Sequence, residues 1–470
     1  MRPAPVPQGT FIVPDPGTKQ VAEDRLVGGT PTRMLRLTDA GRAAWRELRD
    51  GAVTSPMSAV LARRLTDSGL AHPRPTAGSE VDVTVVIPVH GRADELDRCL
   101  TAVGDQVFVV VVDDGSSDPD RIAAIAARHG ATLIRREANG GPAAARNTGV
   151  TDIESDLVAF LDSDCVASPD WIEQLSGHFA DPLVAAAAPR IVSNRAAQGR
   201  YLASCSTLDL GPHESRVHPK GRVTYVPTAA LVVRRAALDA VGGFDPDLRY
   251  GEDVDLVWRL DAAGWRVRYD PSVRVAHDEA ASWPDRITRR YRYGTSAAPL
   301  SQRHPGALTH LVSRPWPLVA VAGVIARRPL ITAAGVAATA TATRRSLRRA
   351  EVTDLGVARA TASSLAGAWL GLGRYATQFT APLLVAAAAG PGRRRSRSLM
   401  VAALAVAPPL VDWSRSRPAV TPARYLAGRV TDDIAYGVGV HAGCLRHRTA
   451  APLLPSSTRQ RFAAKSETQQ

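Results

Sequence analysis

The sequence predicts an α/β fold in which a Rossmann-like, mostly parallel sheet is flanked by helices. Between residues 81 and 280, short apolar segments alternate with segments of helical periodicity, as they do in parallel sheets with crossover helices. Several of the apolar segments end in carboxylates, and ligands of such sheets bind at the carboxyl ends of the strands. The 470 residues have room for further domains, and we expect a small N-terminal winged-helix-like module and an Ala/Arg-rich helical C-terminal region.

The alternation predicts five strands and three intervening helices. The strands are rich in Val, Ile, Leu and Ala, and they are expected at Val83–Val89, Val107–Val112, Thr132–Arg135, Leu157–Leu161 and Ala229–Val233. The helices are expected near Asp94–Val103, Arg121–His129 and Pro169–Phe179. Ser168 is the predicted N-cap of the third helix, because Pro169 suits the first helical position.

The regions before the sheet are predicted to be a lead-in and a small helical module. Residues 1–20 are rich in Pro and Gly and read as a flexible lead-in. Residues 21–75 carry two stretches of helical spacing, the second from Met57 to Leu65, and form the winged-helix-like module. The segment Pro73–Ser79 is the predicted linker to a catalytic domain at residues 81–300.

Residues 305–450 are predicted to be helical and residues 451–470 a disordered tail. The apolar stretches Trp316–Ala326, Leu330–Ala342, Ala381–Ala389 and Leu399–Val411 are each shorter than the ~20 residues that span a bilayer. We expect these helices to pack on the sheet domain or to lie on a membrane surface. One or two spans stay open if Arg327 and Arg328 snorkel.

Charge is distributed unevenly along the chain. The net charge is +13, but residues 281–470 alone carry 27 Lys/Arg against 7 Asp/Glu. A basic region of this kind suits anionic lipid, nucleic acid or an acidic partner, and a solvated Arg-rich surface is the plain alternative. Four cysteines without paired or zinc-ligand spacing, and an N-terminus without an apolar signal segment, predict a reduced protein of the cytoplasm.

The segment that ends in Asp162 and Asp164 is the most informative motif. Residues i and i+2 of an extended chain lie on the same side, so the strand Leu157–Leu161 delivers two carboxylates to one place. Paired oxygen anions suit Mg²⁺ or Mn²⁺, which in turn suits a diphosphate. Taken alone, the pair is equally compatible with an ordinary polar turn after a strand.

Acids also end the second strand, at Asp113 and Asp114. Gly115 follows and permits a sharp turn. A carboxylate here can accept hydrogen bonds from a base N–H or a ribose hydroxyl, or it can simply cap the turn.

The segment Asn139-Gly-Gly-Pro142 predicts a helix start with open backbone amides. Such an end favours anions, and Arg146 lies one turn inside, where it could reach a phosphate. Neither a GxGxxG fingerprint after the first strand nor a Walker A sequence is present, which argues against dinucleotide and P-loop enzymes.

Two further acids, Glu252 and Asp253, open a predicted helix. A carboxylate at this position can act as a general base, although acids at a helix start also simply complement the helix dipole. His277 follows the strand-like stretch Val273–Ala276 and is either a third metal ligand or a structural histidine.

The order of these motifs resembles the inverting family 2 glycosyltransferases over roughly residues 81–280. The resemblance implies a GT-A fold, a nucleoside-diphosphate sugar donor and a divalent metal, Mg²⁺ or Mn²⁺. It assigns catalysis to Asp253 with Glu252 beside it, and metal contacts to Asp164 and Asp162. His277 stays the third candidate metal ligand from its place in the sequence. The implied nucleotide-sugar contacts are Pro88, Asp113, Asp114, Arg146, Asn147 and Asp162. The Gln-x-x-Arg-Trp segment of processive members is missing, since the nearest stretch is Arg289–Gly294.

The arrangement of the whole chain resembles a narrower group, the mycofactocin-biosynthesis glycosyltransferases of actinobacteria. In that group a glucosyl chain is added to a redox cofactor derived from a peptide, so the resemblance implies UDP-glucose as the donor. The N-terminal unit resembles peptide chaperones of such pathways and is expected to hold the peptide-derived acceptor. The expected location is the cytoplasm, at the inner face of the cell membrane.

Two other functions stay open at this point. The first is a sugar transferase that acts on a polyprenyl phosphate or a cell-wall glycan, which the basic and apolar C-terminal region would suit. The second is a winged-helix regulator that binds nucleic acid. We expect no nucleic-acid partner, because residues 21–75 have few aromatics and the basic excess lies far downstream.

Overall fold

The structure, a computed structural model, describes residues 4–74, 82–195, 199–349, 356–381 and 395–457. The chain divides into two compact units. The first comprises Met1–Arg195 and Cys205–Glu279, and the second comprises Ala196–Ser204 and Ala280–Gln470. The first unit is α/β and the second is almost entirely helical, which confirms the predicted fold class.

The N-terminal module consists of two small sheets and two helices. Its elements are β1 (Phe11–Pro14), β2 (Lys19–Ala22), β3 (Arg25–Gly28), β4 (Arg33–Arg36), α1 (Asp39–Asp50), α2 (Pro56–Ser68) and β5 (Ala71–Arg74). Strand β1 pairs with β5, and β2, β3 and β4 form an antiparallel sheet in that order. Thr38 and Ser55 cap the two helices by accepting hydrogen bonds from backbone amides. The segment predicted to be a flexible lead-in therefore contains β1 and the start of β2.

Ion pairs hold this module against the rest of the first unit. Arg63 donates two hydrogen bonds to the Asp181 carboxylate, at 2.7 and 2.8 Å. Arg266 donates two to Asp67, also at 2.7 and 2.8 Å. Both pairs are mostly buried. The Arg266–Asp67 pair is bidentate through Nε and Nη2 and fixes orientation as well as distance, whereas Arg63 reaches both oxygens of Asp181 through Nη2 alone. The module and the predicted catalytic domain belong to one compact unit. Residues 73 and 74 of the predicted linker belong to β5, and its residues 75–79 lie outside the described residues.

The central sheet of the first unit has nine strands. These are β6 (Val83–Val89), β7 (Phe108–Asp114), β8 (Thr132–Arg136), β9 (Leu157–Leu161), β10 (Cys165–Ala167), β11 (Val184–Ser193), β12 (Ser215–Val217), β13 (Ala230–Arg234) and β14 (Arg266–His277). The strand order is β10-β14-β11-β13-β9-β6-β7-β8, with β12 paired to β14. The strands β9, β6, β7 and β8 are parallel, as predicted. Strand β13 is antiparallel to both of its neighbours, β9 and β11.

Six helices accompany this sheet in the first unit. They are α3 (Ala93–Val103), α4 (Pro119–Arg128), α5 (Pro142–Val150), α6 (Trp171–Ser176), α8 (Arg235–Ala240) and α9 (Glu252–Ala262). Their apolar faces bury Leu96, Leu100 and Ile122 against the inward side chains of β6 and β7. The helix predicted at Pro169–Phe179 differs: α6 begins only at Trp171, after Asp170 as N-cap, and a 3-10 turn follows at Gly177–Ala180.

The second unit is a set of helices with one short strand pair. It contains α7 (Tyr201–Ser204), α10 (Trp283–Thr295), α11 (Ala297–Arg303), α12 (Pro315–Ala326), α13 (Pro329–Arg349), α14 (Val357–Phe379) and the helices Arg395–Ser416 and Pro422–Arg446. Strand β15 (Val312–Ser313) pairs with β16 (Ser456–Ser457), which lies inside the predicted disordered tail. Residues 280–300 of the predicted catalytic domain belong to this helical unit.

A buried ion pair and close backbone contact join α10 to the helix Pro422–Arg446. Arg286 donates to both oxygens of Asp432, at 3.0 and 2.6 Å, and Tyr201 donates its hydroxyl to the same carboxylate at 2.8 Å. A Cβ atom on Gly439 would lie 2.0 Å from the Tyr291 carbonyl oxygen, so glycine alone permits this approach.

Within the described part of the chain, no helix combines the length and hydropathy that a membrane span needs. The apolar segment Ala381–Ala389 lies outside the described residues beyond Ala381.

Candidate active site

The carboxyl ends of three neighbouring parallel strands bring the predicted site residues together. In the register of the sheet, Pro88 of β6 lies opposite Val112 of β7, and Val89 lies opposite Asp113. Strand β9 pairs with β6 on the other side and leads directly into Asp162. The edge of the sheet therefore carries the acids of two motifs that are about fifty residues apart in sequence.

Asp113 and Asp114 are both buried, but their contacts differ. The Asp113 carboxylate accepts a hydrogen bond from the Ser116 amide at 2.9 Å and pairs with Arg135. The Asp114 carboxylate accepts from Arg136 at 2.9 Å and from the amides of residues 140 and 141 at 3.0 and 2.8 Å. Asp113 thus holds the turn, whereas Asp114 links β7 to the start of α5.

The Gly-Gly-Pro segment starts a helix, as predicted, but its amides are not open. Pro142 is the first residue of α5, and Gly141 precedes it with φ of 88°. The amides of Gly140 and Gly141 point to Asp114 instead of an empty anion site. The expectation of open amides is therefore wrong at these two positions, because a carboxylate of the same chain already occupies the electropositive end.

Arg146 connects the acid motifs on either side of the site. Its buried guanidinium donates to Asp162 at 2.7 Å and to Glu252 at 3.0 Å, and it lies 5.5 Å from the centroid of the Phe244 ring. Burial alone would favour the neutral form, but the two carboxylates raise the pKa of Arg146 above its ordinary value. Its Nε–H group is buried and has no hydrogen-bond partner among the described residues.

Asn147, the predicted donor contact next to Arg146, binds backbone. Its amide donates to the Phe244 carbonyl at 2.7 Å and accepts from the Phe244 amide at 2.9 Å. These two bonds clamp the loop that leads to α9. In this structure Asn147 positions that loop and does not present its amide to a ligand.

Glu252 and Asp253 form the first turn of α9, after Gly251 in a left-handed conformation. Burial raises the pKa of Glu252, and Arg146 opposes the shift. Burial and the neighbouring Glu252 charge raise the pKa of Asp253 from 3.8 to about 7. Because a general base works best when its pKa lies near the operating pH, Asp253 is chemically suited to accept a proton.

Asp164 is the one predicted metal ligand that lies near His277. The Asp164 Oδ1 atom is 3.7 Å from His277 Nε2, and His277 Nδ1 is 3.2 Å from Glu279. Asp162 is instead paired with Arg146. Among the described residues no three His, Cys, Asp or Glu side chains converge to hold a metal, so the predicted trio of protein ligands is not assembled.

The residues present still fit a Mg²⁺ or Mn²⁺ ion of the phosphate-bound kind. Mg²⁺ keeps several waters and is bound through one or two carboxylates plus substrate phosphates. Asp164 with His277 provides such a partial set, and the remaining positions would be filled by a diphosphate and water.

Three arginines of this edge are not predicted from the sequence: Arg92, Arg135 and Arg136. Arg135 and Arg136 end β8, which is the next parallel strand after β7, so their position was available from the alternation of strands. Arg92 donates to Asp164 at 2.5 Å. The sequence gives little indication that Arg92 belongs to the site, because this residue follows the first strand by three positions and is part of no motif.

Comparisons with known proteins agree with the sequence motifs. Residues 84–242 match the profile of Glycosyl transferase family 2. The Pre-mycofactocin glycosyltransferase of Mycobacterium tuberculosis is 41% identical over 449 residues, which cover 92% of this chain and 94% of that protein. The glycosyltransferase AglE of Haloferax volcanii is 28% identical over 230 residues, which cover 45% of this chain and 71% of that protein.

Among solved structures, the chain is similar to a mannosyltransferase, PcManGT, from Pyrobaculum calidifontis, which was solved in complex with GDP-Man and Mn²⁺. The identity is 20% and the TM-score is 0.43, with 77% of this chain and 89% of that chain covered.

The raised pKa of Asp253 predicts a pH-dependent effect on stability. A carboxyl group with a folded-state pKa of about 7 stabilises the fold below its unfolded pKa, and this stability is lost as the pH rises through 7. Asn mimics the protonated form at every pH. We therefore expect Asp253→Asn to raise the melting temperature relative to wild type, and to raise it more at pH 8 than at pH 5.

The matched control for this experiment is Asp239→Asn. Asp239 is an exposed acid that pairs with Arg235 on α8, away from the acid motifs. Its effect on the melting temperature should not grow between pH 5 and pH 8. If the difference in melting temperature between Asp253→Asn and wild type were also the same at pH 5 and pH 8, the raised pKa of Asp253 would be contradicted.

Proposed function

The chain belongs to the family 2 glycosyltransferases of the mycofactocin type, and from this membership we propose that it transfers glucose from UDP-glucose to the mycofactocin precursor or its growing glucan chain. The observation that carries the proposal is the length of the match, 92% of the chain, which includes the regions on both sides of residues 84–242. A fold-level likeness would support only sugar transfer in general.

We propose that the donor binds along the edge formed by β6, β7 and β9. Pro88, Asp113 and Asp114 are the proposed nucleoside contacts, and both carboxylates already accept hydrogen bonds from the chain itself, Asp113 from Ser116 and Asp114 from Arg136 and two amides. Arg146 would attract the diphosphate through its positive charge, and Asp162 would hold Arg146 in place. Asn147 would keep the loop before α9 in position.

In the proposed reaction Asp253 accepts the proton of an acceptor hydroxyl. The resulting oxygen attacks C1 of the sugar from the face opposite the diphosphate, the bond from C1 to the diphosphate breaks, and the anomeric configuration is inverted in one step. The ion pair of Glu252 with Arg146 holds the base near the leaving group. Positioning and charge stabilisation supply most of the rate acceleration in such a site.

A divalent ion held by Asp164 and His277 would neutralise the charge that develops on the departing diphosphate. Arg146 supplies a fixed positive charge to the same group from its place between Asp162 and Glu252. The two carboxylates limit how far this side chain moves, so the charge is preorganised.

We also propose that the N-terminal module holds the peptide-derived acceptor. Its sheet ends at β4, an edge strand whose residues are mostly exposed, and an extended peptide can add to such an edge. The ion pairs of Arg63 and Asp67 fix the module to the first unit and would keep a bound acceptor at a constant position.

For the second unit we propose contact with the cytoplasmic face of an anionic membrane. Trp316 on α12 and Leu330, Ile331 and Val336 on α13 are exposed to 48%, 85%, 46% and 37%, respectively. The exposed Arg327–Arg328 pair separates the two helices. Apolar side chains beside arginines complement acyl chains beside anionic headgroups, which favours a lipid surface.

The test of the function is product analysis after substitution of the proposed base. We expect Asp253→Asn to bind the nucleotide donor as wild type does and to lose transfer by a factor of ~10² or more, since general-base catalysis contributes ~10²–10⁴. The measurement is mass spectrometry of products from a panel of nucleotide sugars with a mycofactocin precursor and, in parallel, a polyprenyl phosphate.

Asp239→Asn is again the control and should retain turnover. Retained transfer by Asp253→Asn would remove the base assignment. Sugar added only to the polyprenyl phosphate would instead support the lipid-acceptor function, which the exposed apolar side chains of α12 and α13 favour.

Metal removal gives an independent prediction. EDTA should stop transfer, because a doubly charged diphosphate leaves poorly without the cation, and Mn²⁺ or Mg²⁺ should restore it. EDTA saturated beforehand with Mn²⁺ is the control and should have no effect. Full activity of chelator-treated, metal-free protein would exclude the metal role of Asp164.

Vesicle binding tests the membrane contact. Wild type should sediment with phosphatidylglycerol vesicles and much less with phosphatidylcholine vesicles, and added salt should weaken the binding. The double variant Leu330→Glu, Ile331→Glu should lose it, whereas Leu445→Glu, at another exposed leucine, should not. The proposal would be contradicted if the double variant bound the vesicles as wild type does. It would also be contradicted if wild type formed a dimer through these apolar side chains that only the double variant dissociated.

A further inference from the structure

Arg92 makes a contact that the proposed reaction does not use. Its Nη1 atom lies 2.5 Å from Oδ2 of Asp164, the carboxylate proposed for the cation. The Arg92 side chain is 52% exposed and that of Asp164 only 11%. The contact therefore joins a half-exposed cation to a largely buried anion.

The backbone around Arg92 is built to aim this side chain. Arg92 has φ of 51° and ψ of 46°, a left-handed conformation that costs free energy for any residue with a Cβ atom. The two residues before Arg92 hold this turn in place. The Gly91 amide donates to Ser116 Oγ at 2.8 Å, and His90 contacts the Asp114 carbonyl at 2.9 Å. Strained non-glycine residues of this kind concentrate at functional sites.

The neighbouring acids of the site already have fixed partners. Asp162 is paired with the buried Arg146, and Asp114 accepts from Arg136 and from two backbone amides. Asp164 lacks such a fixed partner in the described contacts, since its Oδ1 is 3.7 Å from His277 and its Oδ2 meets the exposed Arg92. Arg92 therefore supplies the charge that compensates Asp164.

A divalent ion and Arg92 compete for the single negative charge of Asp164. Arg92 contacts Oδ2, whereas an ion shared with His277 would bind Oδ1, and two positive charges on one carboxylate repel each other. Binding of the ion therefore weakens the hold of Asp164 on the Arg92 guanidinium. Its exposure leaves it free to turn toward an anion that arrives with the ion.

We propose that Arg92 is a positioning residue that compensates Asp164 while the divalent ion is absent and turns to the donor diphosphate when ion and donor bind together. The proposal rests on the proposed function for the identity of the donor. Arginine binds phosphate oxygens with two parallel hydrogen bonds, so the charge lost at Asp164 is regained at the diphosphate. Ion and nucleotide binding are then coupled, and each strengthens the other.

The first measurement is Mn²⁺ binding to the donor-free protein, followed by the electron paramagnetic resonance signal of free Mn²⁺. Arg92→Ala removes the competing charge and should bind Mn²⁺ more tightly, by roughly two- to fivefold, the range of a partly exposed ion pair. Arg92→Gly should behave in the same way and fold at least as well, because glycine suits a φ of 51°. Unchanged or weaker Mn²⁺ binding in both variants would overturn the proposal.

Arg121→Ala is the matched control. The Arg121 side chain is as exposed as that of Arg92, and it pairs with Asp94 at 2.5 Å and not with Asp164, so this variant should bind Mn²⁺ as wild type does. The same change in Arg121→Ala as in Arg92→Ala would show a general charge effect and overturn the assignment.

The second measurement is the affinity for UDP with and without Mn²⁺. In wild type Mn²⁺ should strengthen UDP binding by a larger factor than in Arg92→Ala, and Arg92→Lys should lie between them. If Mn²⁺ strengthened UDP binding by the same factor in wild type and in Arg92→Ala, the proposed movement of Arg92 toward the diphosphate would be overturned. If wild type binds no nucleoside diphosphate at all, the proposed function fails, and the Mn²⁺ measurement alone then decides whether Arg92 competes for Asp164.

Discussion

The compensation of the buried Arg146 charge is the constraint on which the site depends. A guanidinium without water needs fixed anions, and Asp162 and Glu252 supply them from the end of β9 and the start of α9. These acids are 90 residues apart in sequence, so the ion pairs tie two distant motifs into one site. Burial and the charge of the neighbouring Glu252 raise the pKa of Asp253 to about 7, although Arg146 opposes this shift.

Charge compensation recurs at the other acids of this edge. Asp113 and Asp114 face the arginines that end β8, and Asp164 faces Arg92. Each carboxylate is thus stabilised without a ligand, although the strength of the compensation differs. Buried, multiply bonded acids keep the scaffold rigid, whereas the exposed Arg92 can leave its partner at small cost. Under the proposed function, a site of this kind would be preorganised for the nucleotide and adjustable for the cation.

Ion pairs also fix the N-terminal module against the central sheet of the first unit. Arg63 and Arg266 each grip a carboxylate with two hydrogen bonds, one from each side of the contact. In the second unit, the buried Arg286–Asp432 pair performs the same task between helices whose glycines permit close approach. Orientation is fixed in both places by bidentate geometry more than by apolar area.

The sequence alone determined the parallel half of the sheet and the residue types of the site. The strands at Val83–Val89 and Leu157–Leu161 are those predicted, because their apolar runs are continuous and their ends are marked by acids. Strand β11 was not predicted, since its Ala-rich segment with Pro189 has weak strand propensity and is extended only because β13 and β14 pair with it. Local spacing likewise identified Asp253 as an acid at a helix start.

Only the tertiary structure decided which partners these residues have. Two facts follow from how strand ends meet in space: Arg146 binds Asp162 and Glu252, and Asp114 accepts hydrogen bonds from the amides of residues 140 and 141. The partnership of Arg92 with Asp164 has the same origin. A sequence pattern gives the direction of a side chain along its own strand or helix, whereas ion pairs depend on distances between elements that only packing sets.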